Sequence, residues 1–334
     1  GRRPVVVVNL SEGEPASAKD HALATRAPHL ILDGATATAR ALKASQVHLV
    51  LPGDRPAVRG AIRAAIAERS EEFVLHLAQS KFVAGQAQAV IQLMNGRANL
   101  PVTAWQPEAI SGHRGRPTLL SNAETWAQVG RLLLVGPAAY AALGTPREPG
   151  TTLLTFSGTT GRPQVVEAEY GSRLRDHLPA HAHGRPALVG GFHGTWVTWQ
   201  TLASMPVSHA RLRVLGTPLG AGVVIPAGHD ECPIELAARI ATFLAGQSAR
   251  RCGPCLNGLP ALAEVLRSLA DGGPGPAAIT RIRELGDLVT GRGACAHPDG
   301  TARMARSLLA AFPGEVSAHT RGRCTMFAEG AVAS

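Results

Sequence analysis

Strand and helix patterns alternate through the first 145 residues, and that alternation limits the possible folds more than any other property of the chain. Val5-Val6-Val7-Val8 runs into Asn9 as a buried strand. Pro28–Leu42 reads as a helix and Val47–Leu51 as a second strand. Pro56–Arg69 is a helix with Val58, Ile62 and Ile66 at helical spacing. Glu124–Leu134 is a further helix after Leu119-Leu120-Ser121-Asn122. Such a chain builds an α/β sheet with crossover helices. Ligands of such sheets bind in the loops that follow the strands, and the first of these is Asn9-Leu10-Ser11-Glu12-Gly13-Glu14-Pro15.

The pattern changes after a Gly/Pro-rich linker at residues 144–150. Thr152–Ser157 and Gln164–Ala168 flank a turn and predict a β-hairpin. A short helix over Gly171–Leu178 and strands at Ala187–Val189 and Gly222–Ile225 complete a small α+β domain. From Pro233 onward the pattern is helical. Ile234, Ala237, Ile240, Ala241 and Leu244 share one helix face, and Leu259–Leu269, Ala277–Val289 and Thr301–Phe312 predict three more helices. Four short helices with short joins suggest a bundle. The expected division is 1–145, 146–232 and 233–334.

The chemistry-bearing signal is Cys252-Gly253-Pro254-Cys255, with Cys295 40 residues later. On spacing alone, two soft thiolates this close suit zinc, a redox dithiol or an iron–sulfur centre. Loops at one end of a bundle converge, which would bring Cys295 to the pair. Four-coordinate zinc needs a fourth ligand. A reactive dithiol belongs at a helix N-terminus, whereas this pair is expected to follow a helix. Five cysteines form no regular framework, which argues against a secreted disulfide scaffold and fits a cytoplasmic metal or thiol role. Cys324, near the tail, reads as a free thiol.

The net charge is +9, but the arginines are scattered and no basic run carries interleaved aromatics, which argues against nucleic acid as a partner. No apolar stretch is long enough for a transmembrane segment. Leu132–Leu143 comes nearest, and Gly136 and Pro137 break it. There is no signal-peptide pattern. The abrupt entry into a strand at Val5 suggests that a segment precedes this one.

In order and spacing, these motifs resemble those of the NADH-binding flavoprotein subunit of respiratory complex I and its relatives in NAD-linked hydrogenases and formate dehydrogenases. The family's Asn-x-Asp-Glu-Gly-Glu-Pro loop matches Asn9–Pro15, with Lys19-Asp20 following. Its Asn-Asn-x-Glu-Thr matches Ser121-Asn122-Ala123-Glu124-Thr125, and its Ser-Gly-x-x-x-Arg-Pro hairpin matches Ser157, Gly158 and Arg162-Pro163. Its cysteine motifs match Cys252, Cys255, Gly258 and Cys295. The resemblance implies a Rossmann-like FMN-binding domain, a ubiquitin-like β-grasp domain and a helical iron–sulfur domain. It implies hydride transfer from NADH to FMN and single-electron exit through an iron–sulfur cluster, 4Fe–4S in the family. Asn9, Glu12, Glu14, Gly85, Asn122 and Thr125 would line the flavin site, and Cys252, Cys255 and Cys295 would hold the metal. A small iron–sulfur or ferredoxin-like protein is the implied partner, in an assembly associated with the inner face of a membrane.

The sequence departs from the family in four places. Ala249 stands where the first clustered cysteine is expected, leaving a 3Fe–4S centre or a cubane whose fourth ligand is not that cysteine; His297 and Cys232 are candidates. Gly85-Gln86-Ala87-Gln88-Ala89 replaces Gly-Glu-Glu-Thr-Ala, with the loss of two carboxylates. Ala104-Trp105-Gln106-Pro107-Glu108 replaces Lys-Pro-Pro-Phe-Pro, leaving Trp105 as a substitute ring. The glycine-rich phosphate loop is expected upstream of Gly1. Plainer readings exist for the same residues. Glu12 and Glu14 suit an acidic turn that caps the next helix, and Asn122 suits a helix N-cap. The alternatives to an electron-transfer subunit are a non-catalytic paralogue serving as a structural or interaction subunit, and a zinc-stapled binding module.

Overall fold

The structure, a computed structural model, describes residues 3–104, 106–158, 162–228, 231–273 and 275–325. It divides into two compact units, Gly1–Leu153 and Leu154–Ser334.

The first unit runs β1 (Val5–Asn9), α1 (Lys19–Arg26), α2 (Pro28–Ala41), β2 (Val47–Pro52), α3 (Pro56–Ala67), β3 (Phe73–Ala78), α4 (Ala87–Met94), β4 (Thr118–Asn122), α5 (Ala123–Val135) and α6 (Pro137–Ala141). Its sheet has the order β3-β2-β1-β4, and its pairs are parallel. The expected α/β sheet is thus present, with β3, α1, α4 and α6 added. Both faces are covered, which explains the unbroken valine run of β1. Val6, Val8, Leu49 and Leu51 pack with Ile31, Leu32, Ile62 and Trp126 on one face. Val5, Val7 and Val50 pack with Val90, Ile91 and Met94 on the other. The chain leaves β1 towards β2 and β3 and returns on its opposite side as β4. That reversal opens a crevice at the carboxyl ends of β1 and β4, where Asn9 and Asn122 are register partners.

Three histidines cluster in this unit. His48 Nδ1 lies 2.9 Å from His76 Nε2, and the His48 and His113 rings are 5.0 Å apart. His48 Nε2 and His113 Nδ1 are buried with no hydrogen-bond partner among the described residues. Burial, then the neighbouring His76 and His113, push the His48 imidazolium down to about 3 from 6.5. His76 and His113 are also lowered, chiefly by burial. An unfolded chain takes up these protons from about pH 6.5 downward. Stability from the cluster is therefore full above that value and is lost as pH falls from about 6.5 towards 3. Each imidazole that must stay neutral costs at most about 1.4 kcal/mol per pH unit in that window. Urea midpoints at pH 7.5, 6 and 5 are expected to fall in that order, and His48→Gln is expected to flatten the trend.

In the second unit, β5 (Thr151–Phe156), β6 (Gln164–Glu169), β7 (Ala187–Val189), β8 (Thr195–Val197) and β9 (Val223–Pro226), with α7 (Trp199–Ser204) and α8 (His209–Val214) between them, form a sheet of order β6-β5-β9-β7-β8. The first and last of its strands pair in parallel, as in a ubiquitin-like β-grasp. The predicted hairpin strands are adjacent; residues 159–161 of their turn lie outside the described residues. The helix expected over Gly171–Leu178 is only a 3-10 turn at Leu174–His177. Leu174, Leu202 and Leu212 fill the core beneath this sheet. The helical part follows as α9 (Pro233–Gly246), α10 (Leu259–Ala270), α11 (Ala277–Val289), α12 (His297–Ala311) and α13 (Pro313–His319). The four expected helices are present, with α13 added. Among the described residues no helix is long and apolar enough to cross a membrane.

Candidate functional site

The first candidate site is the crevice at the ends of β1 and β4. The Asn9 amide donates to Gly85 O at 2.8 Å, and its Oδ1 accepts from Ser11 N and Oγ at 3.1 and 2.6 Å. Gly85 is needed there, because a Cβ would lie 2.7 Å from Ser11 Oγ. Residues 76 apart in sequence thus close one rim of the crevice. Asn122 forms the other rim. Its Oδ1 caps α5 through Glu124 N at 3.0 Å and accepts from Lys19 Nζ at 2.8 Å, while its amide donates to Asp20 Oδ2 at 2.7 Å. Thr125, in the first turn of α5, is exposed.

Glu12 points elsewhere. Its carboxylate accepts from Ser17 Oγ at 2.8 Å, Asp20 N at 2.8 Å and His21 N at 3.1 Å, and pairs with Arg55. It satisfies the orphan amides at the start of α1 from well upstream of that helix. Its positive φ of 37° is the strained conformation that allows this reach. Glu14 accepts from Ala16 N at 3.2 Å and shapes the same loop. Gln88, where the family carries no carboxylate, lies 3.3 Å from the Glu108 carboxylate. Trp105 lies outside the described residues. The structure also brings forward Lys19, whose ammonium bridges Asp20 at 2.7 Å and Glu124 at 3.1 Å behind Asn122. In the sequence it was visible only as a companion of the acidic loop.

The second candidate site is the cysteine trio. After Arg250, which has a left-handed φ of 53°, the chain enters a wide helical turn, Pro254–Gly258, that leads into α10. The Cys252/Cys255 pair follows α9, as the sequence reading expects, and also opens the turn into α10. A helix N-terminus favours negative charge, which suits thiolates and anionic clusters. Cys255 is buried, and Cys252 and Cys295 are partly so. Burial, then a hydrogen bond and charge from Cys252, then charge from Cys295, push the Cys255 thiol up to about 12, while the Arg250 amide donates to it and opposes the rise. Cys252 and Cys295 thus both act on the Cys255 thiol. Gly258 permits the turn to lie against α11, since a Cβ would meet Val289 Cγ1 at 2.3 Å.

Ala249 is nearly buried beside this turn and carries no donor. Neither candidate for a fourth ligand is placed to serve. His297 is wholly buried, with Nε2 2.8 Å from Leu244 O and Nδ1 3.0 Å from His193 Nε2; both ring nitrogens are used in tying α12 to its surroundings. Cys232 Sγ lies 3.3 Å from His319 Nε2, in a separate cluster. The donor chemistry of the trio fits an iron–sulfur cluster with three protein thiolates.

Comparison with known proteins agrees with this geometry. Residues 1–131 match the family model of the Nuo51 FMN-binding domain. Residues 235–319 match that of the NADH-ubiquinone oxidoreductase-F iron–sulfur binding region. The F polypeptide of the NADH-quinone oxidoreductase of Escherichia coli K12 is 28% identical over 94% of this chain and 75% of its own length. The second such F polypeptide of Rhizobium meliloti is 26% identical over 97% and 82%. A chain of an NAD+-reducing NiFe-hydrogenase in the H2-reduced state superposes with a TM-score of 0.84 at 24% identity. The air-oxidized state gives 0.82 at 26%. In both structures the match covers 95% of this chain and 56% of the hydrogenase chain. With the motifs in order and the parallel sheet reversing at Asn9 and Asn122, this chain is similar to the F polypeptides of NADH-quinone oxidoreductases, with the Nuo51 FMN-binding model matched at residues 1–131 and the iron–sulfur binding model at residues 235–319.

Proposed function

We propose that this chain is the electron-entry subunit of a redox assembly, passing electrons from NADH or another reduced carrier through FMN to an iron–sulfur cluster. The observation that supports this reading is the pair of family matches, FMN-binding at residues 1–131 and iron–sulfur binding at residues 235–319, the second of which contains Cys252, Cys255 and Cys295. FMN, when bound, would supply the conversion between hydride and single-electron chemistry, and an iron–sulfur cluster would supply the single-electron exit. Asn9, Gly85, Asn122 and Thr125 line the flavin crevice, while Glu12 and Glu14 hold its loop in shape. Cys252, Cys255 and Cys295 ligate the cluster. Residues 1–145 act as the flavin domain, 146–232 as a ubiquitin-like module and 233–334 as the cluster-binding bundle. Partner subunits, among them a small iron–sulfur or ferredoxin-like protein, take the electrons, in an assembly peripheral to a membrane.

A second reading, a non-catalytic paralogue, draws on Gln86, Ala87 and Ala249, which stand where the family carries carboxylates and a thiolate. Anaerobic reconstitution of the full chain with iron, sulfide and FMN separates the two. The electron-transfer reading expects flavin absorbance and a reducible cluster that is lost in Cys255→Ala. Colourless protein retaining neither iron nor flavin would favour the paralogue. Ala249→Cys tests the three-thiolate assignment. The parent is expected to give the paramagnetic oxidised 3Fe–4S signal in electron paramagnetic resonance, and the variant is expected to lose it by taking up a further iron.

A further inference from the structure

A different set of ligand-type side chains meets at the far end of the bundle. One ligand atom each from Cys232, Glu315, His319 and Cys324 lie within 4.8 Å of one another. Cys232 immediately precedes α9, Glu315 and His319 are one turn apart on α13, and Cys324 follows α13. Cys232 is fully buried, and His319 and Glu315 are 3% and 9% exposed. His319 Nε2 is 3.3 Å from Cys232 Sγ and 3.2 Å from Glu315 Oε1. The Cys324 thiol, expected from the sequence to be free, hydrogen-bonds that of Cys232.

The surroundings orient these groups. His319 Nδ1 faces two carbonyl oxygens, Leu269 at 3.1 Å and Ala270 at 3.2 Å. Both can only accept, so Nδ1 carries a proton, and a neutral ring then presents the Nε2 lone pair to the cluster. The Glu315 carboxylate is anchored by Thr325 N at 3.0 Å and by the Thr325 hydroxyl. A lone pair and a carboxylate oxygen 3.2 Å apart are two acceptors face to face, and a proton or a cation has to sit between them. Imidazole whose second nitrogen donates to a backbone carbonyl, beside an anchored carboxylate, is the outer-shell pattern of metal ligands. Tetrahedral zinc with its usual bond lengths to sulfur and nitrogen spaces its donors by roughly 3.3–3.8 Å. The two measured approaches of His319 are already near that spacing, and the widest, at most 4.8 Å, closes with a small contraction.

We infer that Cys232, Glu315, His319 and Cys324 form a closed, four-ligand zinc site, distinct from the cysteine trio. With four protein ligands it leaves no open position, so its role is structural. It staples the start of α9 to α13 and to the segment that follows.

The test is the metal content of the full chain purified from zinc-supplemented medium. One equivalent of zinc per chain is expected, lost in Cys324→Ser and in His319→Ala and retained in Cys252→Ser. After chelation, one equivalent of Co2+ is expected to give the ligand-field and thiolate charge-transfer bands of a tetrahedral thiolate site, and Tm is expected to rise when metal is restored. Glu315→Gln, which keeps the side chain's shape, is expected to weaken zinc affinity at least about tenfold; it serves if the other variants fail to fold. Parent protein that neither retains zinc nor takes up Co2+ would overturn the site in favour of a protonated His319–Glu315 pair. Zinc unaltered by Cys324→Ser and Glu315→Gln, or lost on Cys252→Ser, would equally overturn it.

Discussion

Lys19→Met should destabilise the first unit by about 3–5 kcal/mol, the cost of removing one partner from a buried ion pair. Lys19 is almost wholly buried, with its ammonium 2.7 Å from Asp20, 3.1 Å from Glu124 and 2.8 Å from Asn122 Oδ1. Burial opposes its charge, but the carboxylates of Asp20 and Glu124 outweigh that and hold it above the ordinary lysine value. Methionine fills the same volume and leaves two carboxylates facing each other without a cation. Glu124 also accepts from Thr152 Oγ1 at 2.9 Å and Leu153 N at 2.7 Å, so the damage reaches α1, α5 and the last residues of the first unit together. Urea unfolding measures the loss. Combining Lys19→Met with Glu124→Gln should cost less than the sum of the two single substitutions, because the second removes the charge that the first leaves unpaired. An additive result would mean that the ammonium is solvated and the cluster matters little. Flavin retention is expected to fall in parallel, since Lys19 and Asp20 hold Asn122 at the crevice.

Local patterns made much of this visible in the sequence. The valine run of β1, the one-sided apolar spacing of α3 and the helices of the bundle each carry their signal within a dozen residues. The elements that sequence reasoning passed over depend on distant partners. The buried residues of α1 include Lys19 and Asp20, and its N-terminal amides are capped from Glu12; polarity hides it from any apolar periodicity. β3 is a half-buried edge strand carrying His76. The cysteine trio was legible because two of its members are separated by only two residues. The Cys232 cluster was not, because only Glu315 and His319, four apart, with Cys324 soon after, are local. Read together, those three were the available signal.

The α2–α5 contact shows the same dependence on a partner, and it sets the sign of a glycine substitution. Gly34 sits on α2 where an added Cβ would lie 1.9 Å from Trp126 O and 2.8 Å from Gly130 N. On α5, a Cβ at Gly130 would lie 2.2 Å from Leu30 O. The obstructing atoms are backbone atoms of a facing helix and cannot rotate away. Nor can α5 move off freely, because the Trp126 indole donates to Val7 O at 3.1 Å and Ser121 O at 3.2 Å, fixing the helix over β1 and β4. Alanine gains about 1 kcal/mol of intrinsic helix propensity over glycine. Overpacking of this kind costs about 3 kcal/mol or more, so the clash wins. Gly34→Ala and Gly130→Ala are each expected to destabilise the chain by at least about 2 kcal/mol net, with flavin retention lost as the Asn122 end of α5 shifts from Asn9. Gly60, exposed in the middle of α3, has nothing within 4 Å of its added Cβ. There the propensity term stands alone, and Gly60→Ala is expected to stabilise by about 0.5–1 kcal/mol. Urea unfolding of the three variants distinguishes the cases. If Gly34→Ala and Gly130→Ala stabilise as Gly60→Ala is expected to, the close approach of α2 to α5 does not exist in solution, and the support it gives to the crevice between Asn9 and Asn122 goes with it.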